Sequence, residues 1–365
     1  MNQASGVKRA GRTFTTAQLT SALPGRVASF IIPANHISPT GSPRMTHNVR
    51  PRSLARSLLP LCFVAAGAAA QTAAPSAPQN GNAIEEIIVT ATMIDRPLDR
   101  VPAAVSVVNI DDIQLARQQL ALDEALDRVP GLFMQNRYNF AQDLRISIRG
   151  FGARAQFGIR GVKVLVDGIP ETLPDGQGAV DSIDLGATGQ IEVLRGPSSS
   201  LYGNAAGGVI AITTQGTTDP FAEVRVSGGS YDYSKVAFKT GGKTDKLNYM
   251  LSLSDSELDG YRAQSRAINK QLTGRFDLDL DKDRELLTVI NFTDQPQSDD
   301  AGGLTRAQLL ANPRQAFPNN VLFNAGETVE QTRLGFVYSA PAGEHGSFKA
   351  RNYYALRSFG NLLPT

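Results

Sequence analysis

From Phe221 onward the chain alternates apolar and polar residues. Val224 and Val226 are interleaved with Glu223, Arg225 and Ser227, and Val236 and Phe238 with Lys235 and Lys239. The same period runs through Leu247, Tyr249, Leu251 and Leu253, and through Leu272, Phe276, Leu278 and Leu280. Leu286, Ile290 and Phe292 continue it, then Leu334, Phe336 and Tyr338, and finally Phe348, Ala350, Tyr354 and Leu356. A strand turns successive side chains to opposite faces, so these seven blocks predict strands with one apolar and one polar face. Ten residues at ~3.3 Å each, tilted ~45°, rise ~23 Å, near the ~25 Å apolar band of a transmembrane barrel. The connections Gly241 to Lys246, Asp281 to Arg284 and Pro341 to Gly346 are short, whereas Ser254 to Ala267 and Asp294 to Val329 are long. Short turns on one side and long loops on the other suit a membrane barrel, apart from a tight first turn near Tyr231. Thr305 to Ala316, in the longest loop, reads as a short helix capped by Thr305.

Between Arg96 and Gln215 the pattern changes. Ala104 to Ile110 reads as a strand, and Asp111 or Asp112 as the cap of a helix through Arg117. Leu122, Ala125, Leu126 and Val129 mark one face of a second helix, stopped by Pro130-Gly131. Leu144 to Arg149, Lys163 to Val166, Gln190 to Leu194 and Val209 to Thr213 read as strands. Together they predict a small α+β globule with a mixed sheet. Its centre, Gln190 to Thr214, reads strand, glycine-rich turn, strand. Pro197 fixes φ and lacks a donor, while Gly203, Gly207 and Gly208 permit positive φ or close backbone approach. No Lys follows these glycines, as a phosphate loop requires, and the serines after Pro197 lack the last Gly of a nucleophile elbow.

Three blocks in this region share an order. They are Arg149-Gly150-Phe151-Gly152, then Val164 to Pro170 around Asp167-Gly168, then Leu194-Arg195-Gly196-Pro197 with Tyr202-Gly203 and Gly207-Gly208-Val209-Ile210. The pattern resembles the plug domain of TonB-dependent outer-membrane receptors. The resemblance implies an α+β plug domain followed by antiparallel transmembrane β-barrel strands of a 22-stranded type. Seven strands are a third of such a barrel, so the chain reads as a fragment, a truncated gene or a partial chain. In the family the arginines matching Arg149 and Arg195 latch the plug to acidic side chains on later barrel strands, which this chain is expected to lack. The other reading makes both solvent-facing turn arginines. The resemblance also implies that two plug loops face the outside and touch ligand, with Phe151, Arg154 and Phe157 on one and Pro174, Asp175 and Gln177 on the other.

Composition sharpens the picture at the amino end. The mean hydropathy of −0.17 and 19% charged residues suit a soluble chain, and suit a barrel equally, because alternation dilutes hydropathy. Residues 1–70 hold eight of the 36 basic residues and no acidic one, which leaves 28 basic against 34 acidic and a net charge of −6 for the rest. That balance argues against a nucleic-acid partner. Arg50, Arg52 and Arg56 precede an apolar run from Leu58 to Ala70 that ends in Ala68-Ala69-Ala70. Residues 45–70 therefore read as a secretory signal peptide, with Cys62 inside its apolar core. Leu61 stands where a lipoprotein signal needs a small residue. An organellar transit peptide is also Arg-rich and acid-poor, but the compact apolar block favours secretion. Residues 1–44 lack periodicity and read as a disordered or over-called start, and 71–84 as a flexible linker with no room for an extra signalling domain.

Residues 85–92 follow the linker as a short β-branched segment that can add to the sheet edge of a partner. Glu86, Ile87, Ile88, Val89, Thr90 and Ala91 resemble the TonB box, docking site of the periplasmic energy transducer TonB, although an ordinary first plug strand has the same pattern. Domain boundaries follow as plug 96–215 and barrel strands 221–365. Beyond the leader there is one histidine, His345, and no cysteine, so a bare soft metal is poorly served. A chelated metal such as a ferric siderophore is the expected ligand, with cobalamin and oligosaccharides open. No cofactor is called for. One histidine leaves no Ser-His-Asp set, and Asp277 and Asp279 read as lumen-facing strand residues, so no enzyme is expected. The expected partners are TonB, a small-molecule ligand and outer-membrane lipid. A non-transporting remnant or adhesin is the alternative. Export predicts a mature amino terminus at Gln71, cleaved after Ala70. Mass spectrometry of the membrane fraction checks it, and an intact terminus at Met1 or Met45 would refute the leader.

Overall fold

In the computed structural model, backbone is described for residues 15–22, and full structure for 87–91 and for 96–364 except 156–157, 174, 218, 282 and 344–345. The signal peptide, the linker, Glu86, Thr92, Phe157, Pro174 and His345 lie outside the described residues.

The plug portion contains β2 (Ile88–Val89), β3 (Arg96–Pro97), β4 (Ala104–Asn109), α1 (Ile110–Gln114), α2 (Asp123–Leu126), β5 (Leu132–Gln135) and β6 (Arg145–Ile148). It continues with β7 (Val162–Val166), β8 (Ile169–Pro170), β9 (Thr188–Arg195), α3 (Ser199–Tyr202) and β10 (Gly208–Thr214). Five strands form one sheet in the order β4-β9-β10-β7-β8, parallel only between β10 and β7, so the mixed sheet expected from the pattern is present. Ile191 and Val193 of β9, Ile210 and Ile212 of β10, and Val162, Val164 and Val166 of β7 share one core with Leu122, Leu126 and Ile146.

Two turns show why the sequence blocks look as they do. Asp167 and Gly168 join β7 to β8 with φ of 51° and 74°, two left-handed residues in a row, the geometry for which Asp-Gly is favoured. Gly208 opens β10 at φ 144°, and a Cβ there would sit 2.2 Å from the Leu194 carbonyl oxygen.

The barrel portion contains β11 (Phe221–Gly228), β12 (Ser234–Lys243), β13 (Leu247–Leu258), β14 (Ala267–Asp279), β15 (Glu285–Asp299), β16 (Gly326–Ala342) and β17 (Gly346–Leu362). All are antiparallel to their neighbours, and among the described residues the sheet does not close. These are the seven expected strands. An eighth, β1 (Thr15–Ala22), pairs with β11 from Thr15↔Gly228 to Ala22↔Phe221. It lies within residues 1–44, ahead of the expected cleavage after Ala70. The β11 edge offers unpaired main-chain donors and acceptors, and a strand can satisfy these without an amphipathic pattern.

The long loop carries α4 (Arg306–Ala311) and α5 (Pro318–Leu322). Thr305 caps α4 in a full capping box with Gln308, as the sequence predicts, although the helix stops five residues short of Ala316. The expected caps of α1 differ. The helix starts at Ile110 after Asn109, with no side-chain cap, and Asp111 and Asp112 lie inside its first turn. It ends at Gln114, where Leu115 turns extended and Ala116 takes φ 55°, and the Gln114 amide donates to the Gly186 and Thr188 carbonyls.

Candidate functional site: the plug against the barrel wall

Along β11 and β12 the charged and polar residues are buried and the apolar ones are exposed. Glu223, Arg225, Ser227, Lys235 and Lys239 face inward, while Val224, Val226, Val236 and Phe238 face outward, Val236 at 54% exposure. This reverses a water-soluble sheet. The polar face is covered by the plug, and burying it costs free energy unless each group finds a partner.

The plug supplies those partners. Lys239 Nζ donates to Gln114 Oε1 at 2.9 Å, the Gly186 carbonyl at 3.1 Å and Gln215 Oε1 at 2.9 Å. Lys235 Nζ donates to the Gln119 carbonyl at 2.8 Å, and the Tyr233 hydroxyl to the Gln118 carbonyl at 2.8 Å. Ser252 Oγ donates to Asp184 Oδ2 at 2.9 Å.

Three wall arginines hold three plug carboxylates. Arg275 Nη1 donates to Asp167 Oδ1 at 3.0 Å and to the Thr214 carbonyl at 3.1 Å, and forks its other nitrogens onto Asp277. Asp167 also accepts from the Thr214 amide and hydroxyl, so its wholly buried carboxylate ties the β7–β8 turn to the end of β10 and to the wall. Arg333 is paired with Glu171 at a fully buried contact. Arg357 grips Asp181 through both oxygens, at 3.1 and 2.6 Å. Asp277 faces the lumen as expected, whereas Asp279 is exposed.

The two motif arginines lie away from these pairs. Arg149 is exposed at φ 50°. Arg195 Nη1 donates to the Pro130 carbonyl at 2.9 Å, and its Nε is buried without a partner. Both line an open groove of about 500 Å³ with Arg96 and Pro197. Gly150 and Gly196 follow them at φ of 89° and 125°. In this interface the cations sit on the wall and the acids on the plug. Arg275, Arg333 and Arg357 stand out in the sequence only as polar positions of alternating strands, so the pattern marked their face but not their role.

The two candidate ligand loops come together at one end. Ile159 and Gly178 exchange both main-chain hydrogen bonds at 2.8 Å, and Asn204 Nδ2 donates to the Gly176 carbonyl at 3.1 Å. Asp175 and Gln177 are engaged by Arg160, which donates to Gln177 Oε1 at 3.0 Å, a residue that loop position alone did not single out. Phe151 is half exposed and packs its Cβ against Gly207, while Arg154 is exposed and apart from these contacts. A pocket of about 50 Å³ nearby is lined by Tyr138, Asn139, Gln142, Asp143, Asp181 and Glu327. Burial, reinforced by the Asp181 charge, pushes the Asp143 carboxyl above its usual range. The remaining motif residue, Tyr202, precedes Gly203 at the end of α3 and donates its hydroxyl to the Ala91 carbonyl at 3.0 Å.

Breaking the Glu171–Arg333 pair by Arg333→Ala strands a buried carboxylate, at a cost of ~3–5 kcal/mol. Urea unfolding of the detergent-solubilised protein should show that loss, and the double variant with Glu171→Ala should recover part of it. Wild-type stability in Arg333→Ala would refute the pair's importance.

Comparisons with known proteins agree with this architecture. Residues 97–209 match the family described as TonB-dependent Receptor Plug Domain. A vitamin B12 transporter, BtuB of Vibrio vulnificus strain YJ016, is 30% identical over 187 residues, 50% of this chain and 29% of the relative. Among solved structures, the unliganded ferric citrate transporter FecA aligns with a TM-score of 0.57 at 19% identity, covering 71% of this chain and 40% of that one. The ferric yersiniabactin uptake receptor FyuA from Yersinia pestis aligns at 0.55 and 18% identity, covering 72% and 42%. This chain thus spans under half the length of each. All three are described as transporters or receptors, none as an enzyme. The motif blocks and the matched model make residues 97–209 a TonB-dependent receptor plug domain, and the inside-out strands that follow it share the barrel fold of the aligned receptors.

Proposed function

We propose that this chain is the plug-bearing part of an outer-membrane receptor that takes up a metal chelate, a ferric siderophore foremost, with energy delivered by TonB. The observation that carries the reading is the inside-out sheet, whose exposed valines and phenylalanines suit lipid and whose buried lysines and arginines hold a plug. Ligand would bind at the outer loops, among Phe151, Arg154, Phe157, Pro174, Asp175 and Gln177. Force applied through Glu86 to Ala91 would then displace part of the plug. The energy comes from the partner, so neither nucleotide nor cofactor enters. The absence of cysteine and the single histidine after residue 70 support a chelate over a bare soft metal. A second reading, cobalamin uptake, is favoured by the 30% identity to BtuB.

Radiolabelled ferric siderophores and cyanocobalamin, offered to cells with and without the full-length receptor, separate the two. A ferric chelate should bind only to the expressing cells. Binding of cobalamin alone would overturn the chelate reading and leave the receptor reading standing.

Proline at Ile88 or Val89 removes an N–H that strand addition needs. Both Ile88→Pro and Val89→Pro should abolish uptake and spare surface binding. Undiminished uptake by either variant would remove the coupling role from this segment.

A further inference from the structure

The segment Ile87–Ala91 pairs with β3, accepts from the Tyr202 hydroxyl through Ala91, and makes most of its remaining polar contacts with one carboxylate. Glu192 of β9 accepts from the Thr90 amide at 2.9 Å, the Ala91 amide at 2.7 Å and the Thr90 hydroxyl at 3.1 Å. Gln190 Nε2 adds a fourth donor at 3.0 Å and also reaches the Ile88 carbonyl at 3.3 Å. Three of these four donors belong to the segment. All are neutral, and Glu192 is only 1% exposed. A carboxylate so far from water is tolerable only while its donors stay in place.

The packing has the same logic. Ile191 and Val193 turn to the main core, so Glu192 and Leu194 face the other side of the sheet. There Val89 and Ala91, at 0% and 1% exposure, join Leu165, Leu194, Ala205 and Val209 in a smaller cluster. Beside it lies a cavity of about 220 Å³ between plug and wall, bordered by Thr90, Ala91, Tyr202, Asp167 and Arg275. It has room for several waters and polar groups to hold them. Water there can replace the segment's donors on Glu192 when the segment leaves, which makes release reversible.

We infer that Glu192 is a positioning residue for coupling, holding Ile87–Ala91 retracted so that the strand edge reaches a partner only after these bonds exchange for water. The inference rests on the coupling-strand reading of that segment. Glu192→Gln keeps one acceptor and turns an amide toward N–H groups, so it weakens the hold while preserving shape.

The experiment uses full-length receptor in lipid nanodiscs, which leave both faces open to solvent, with Val89→Cys as a buried reporter for a water-soluble maleimide. Glu192→Gln should raise the labelling rate about tenfold or more, the scale of one lost charge-assisted hydrogen bond. Glu192→Asp, which keeps the charge, should restore slow labelling in part. Thr90→Val removes a donor from the segment's side and should shift the rate in the same direction as Glu192→Gln. Ligand binding and the heat-modifiable migration of the barrel should stay unchanged, which sets the hold apart from general destabilisation. Unchanged labelling in both Glu192→Gln and Thr90→Val overturns the inference. Cross-linking of Val89→Cys to the periplasmic domain of TonB tests the underlying reading separately. Faster labelling without cross-linking upholds the hold by Glu192 and overturns the coupling role of the segment.

Discussion

The polar face of the barrel strands has to be buried, and that constraint shapes everything around it. A strand with lipid-facing valines necessarily points its alternate residues into the lumen. Lysines and arginines there need acceptors, and the plug is the body that brings them. Asp167, Glu171 and Asp181 meet Arg275, Arg333 and Arg357, while carbonyls of Gln118, Gln119 and Gly186 meet Tyr233, Lys235 and Lys239. Plug and wall are each unsatisfied without the other. Fully desolvated ion pairs contribute little net stability but penalise any misplacement. The interface therefore specifies how the plug sits more than how tightly it is bound.

The architecture was legible because periodicity is local. Val224 to Leu356 announced seven strands, and the Asp-Gly and Gly-Gly blocks announced tight turns whose φ values the structure bears out. Thr305 named its own helix cap. What the sequence hid was set by distant partners. α1 was expected to run to Arg117 and ends at Gln114, whose side chain bonds to Gly186, Thr188 and Lys239, more than seventy residues away. The strand at Thr15–Ala22 has no amphipathic signal and depends on the main-chain edge of β11.

The candidate site was legible only in outline. Motif arginines drew attention to Arg149 and Arg195, yet the buried plug-to-wall pairs use arginines from β14, β16 and β17. Nothing local separates Arg333 from any other polar residue on an alternating strand. Its importance comes from Glu171, 162 positions earlier in the chain. Glu192 was similarly disguised. In Ile191-Glu192-Val193 it reads as the polar side of a half-exposed strand, and the structure covers that side with Val89 and Ala91.

The position of β9 has a mechanical consequence. On the coupling-strand reading, tension on the amino-terminal segment first meets Glu192, in a strand with β4 on one side and β10 on the other. An interior strand is clamped by two ladders, so the load is shared across the sheet. The segment is secured by a few bonds to Glu192, Gln190 and Tyr202 and by its pairing with β3. Once those bonds part, the covalent path carries the load through residues 96–100 into β4, the edge strand of the sheet, held on one side only. The fold thus sets two elements in series along the chain, a hydrogen-bonded junction first and an edge strand behind it.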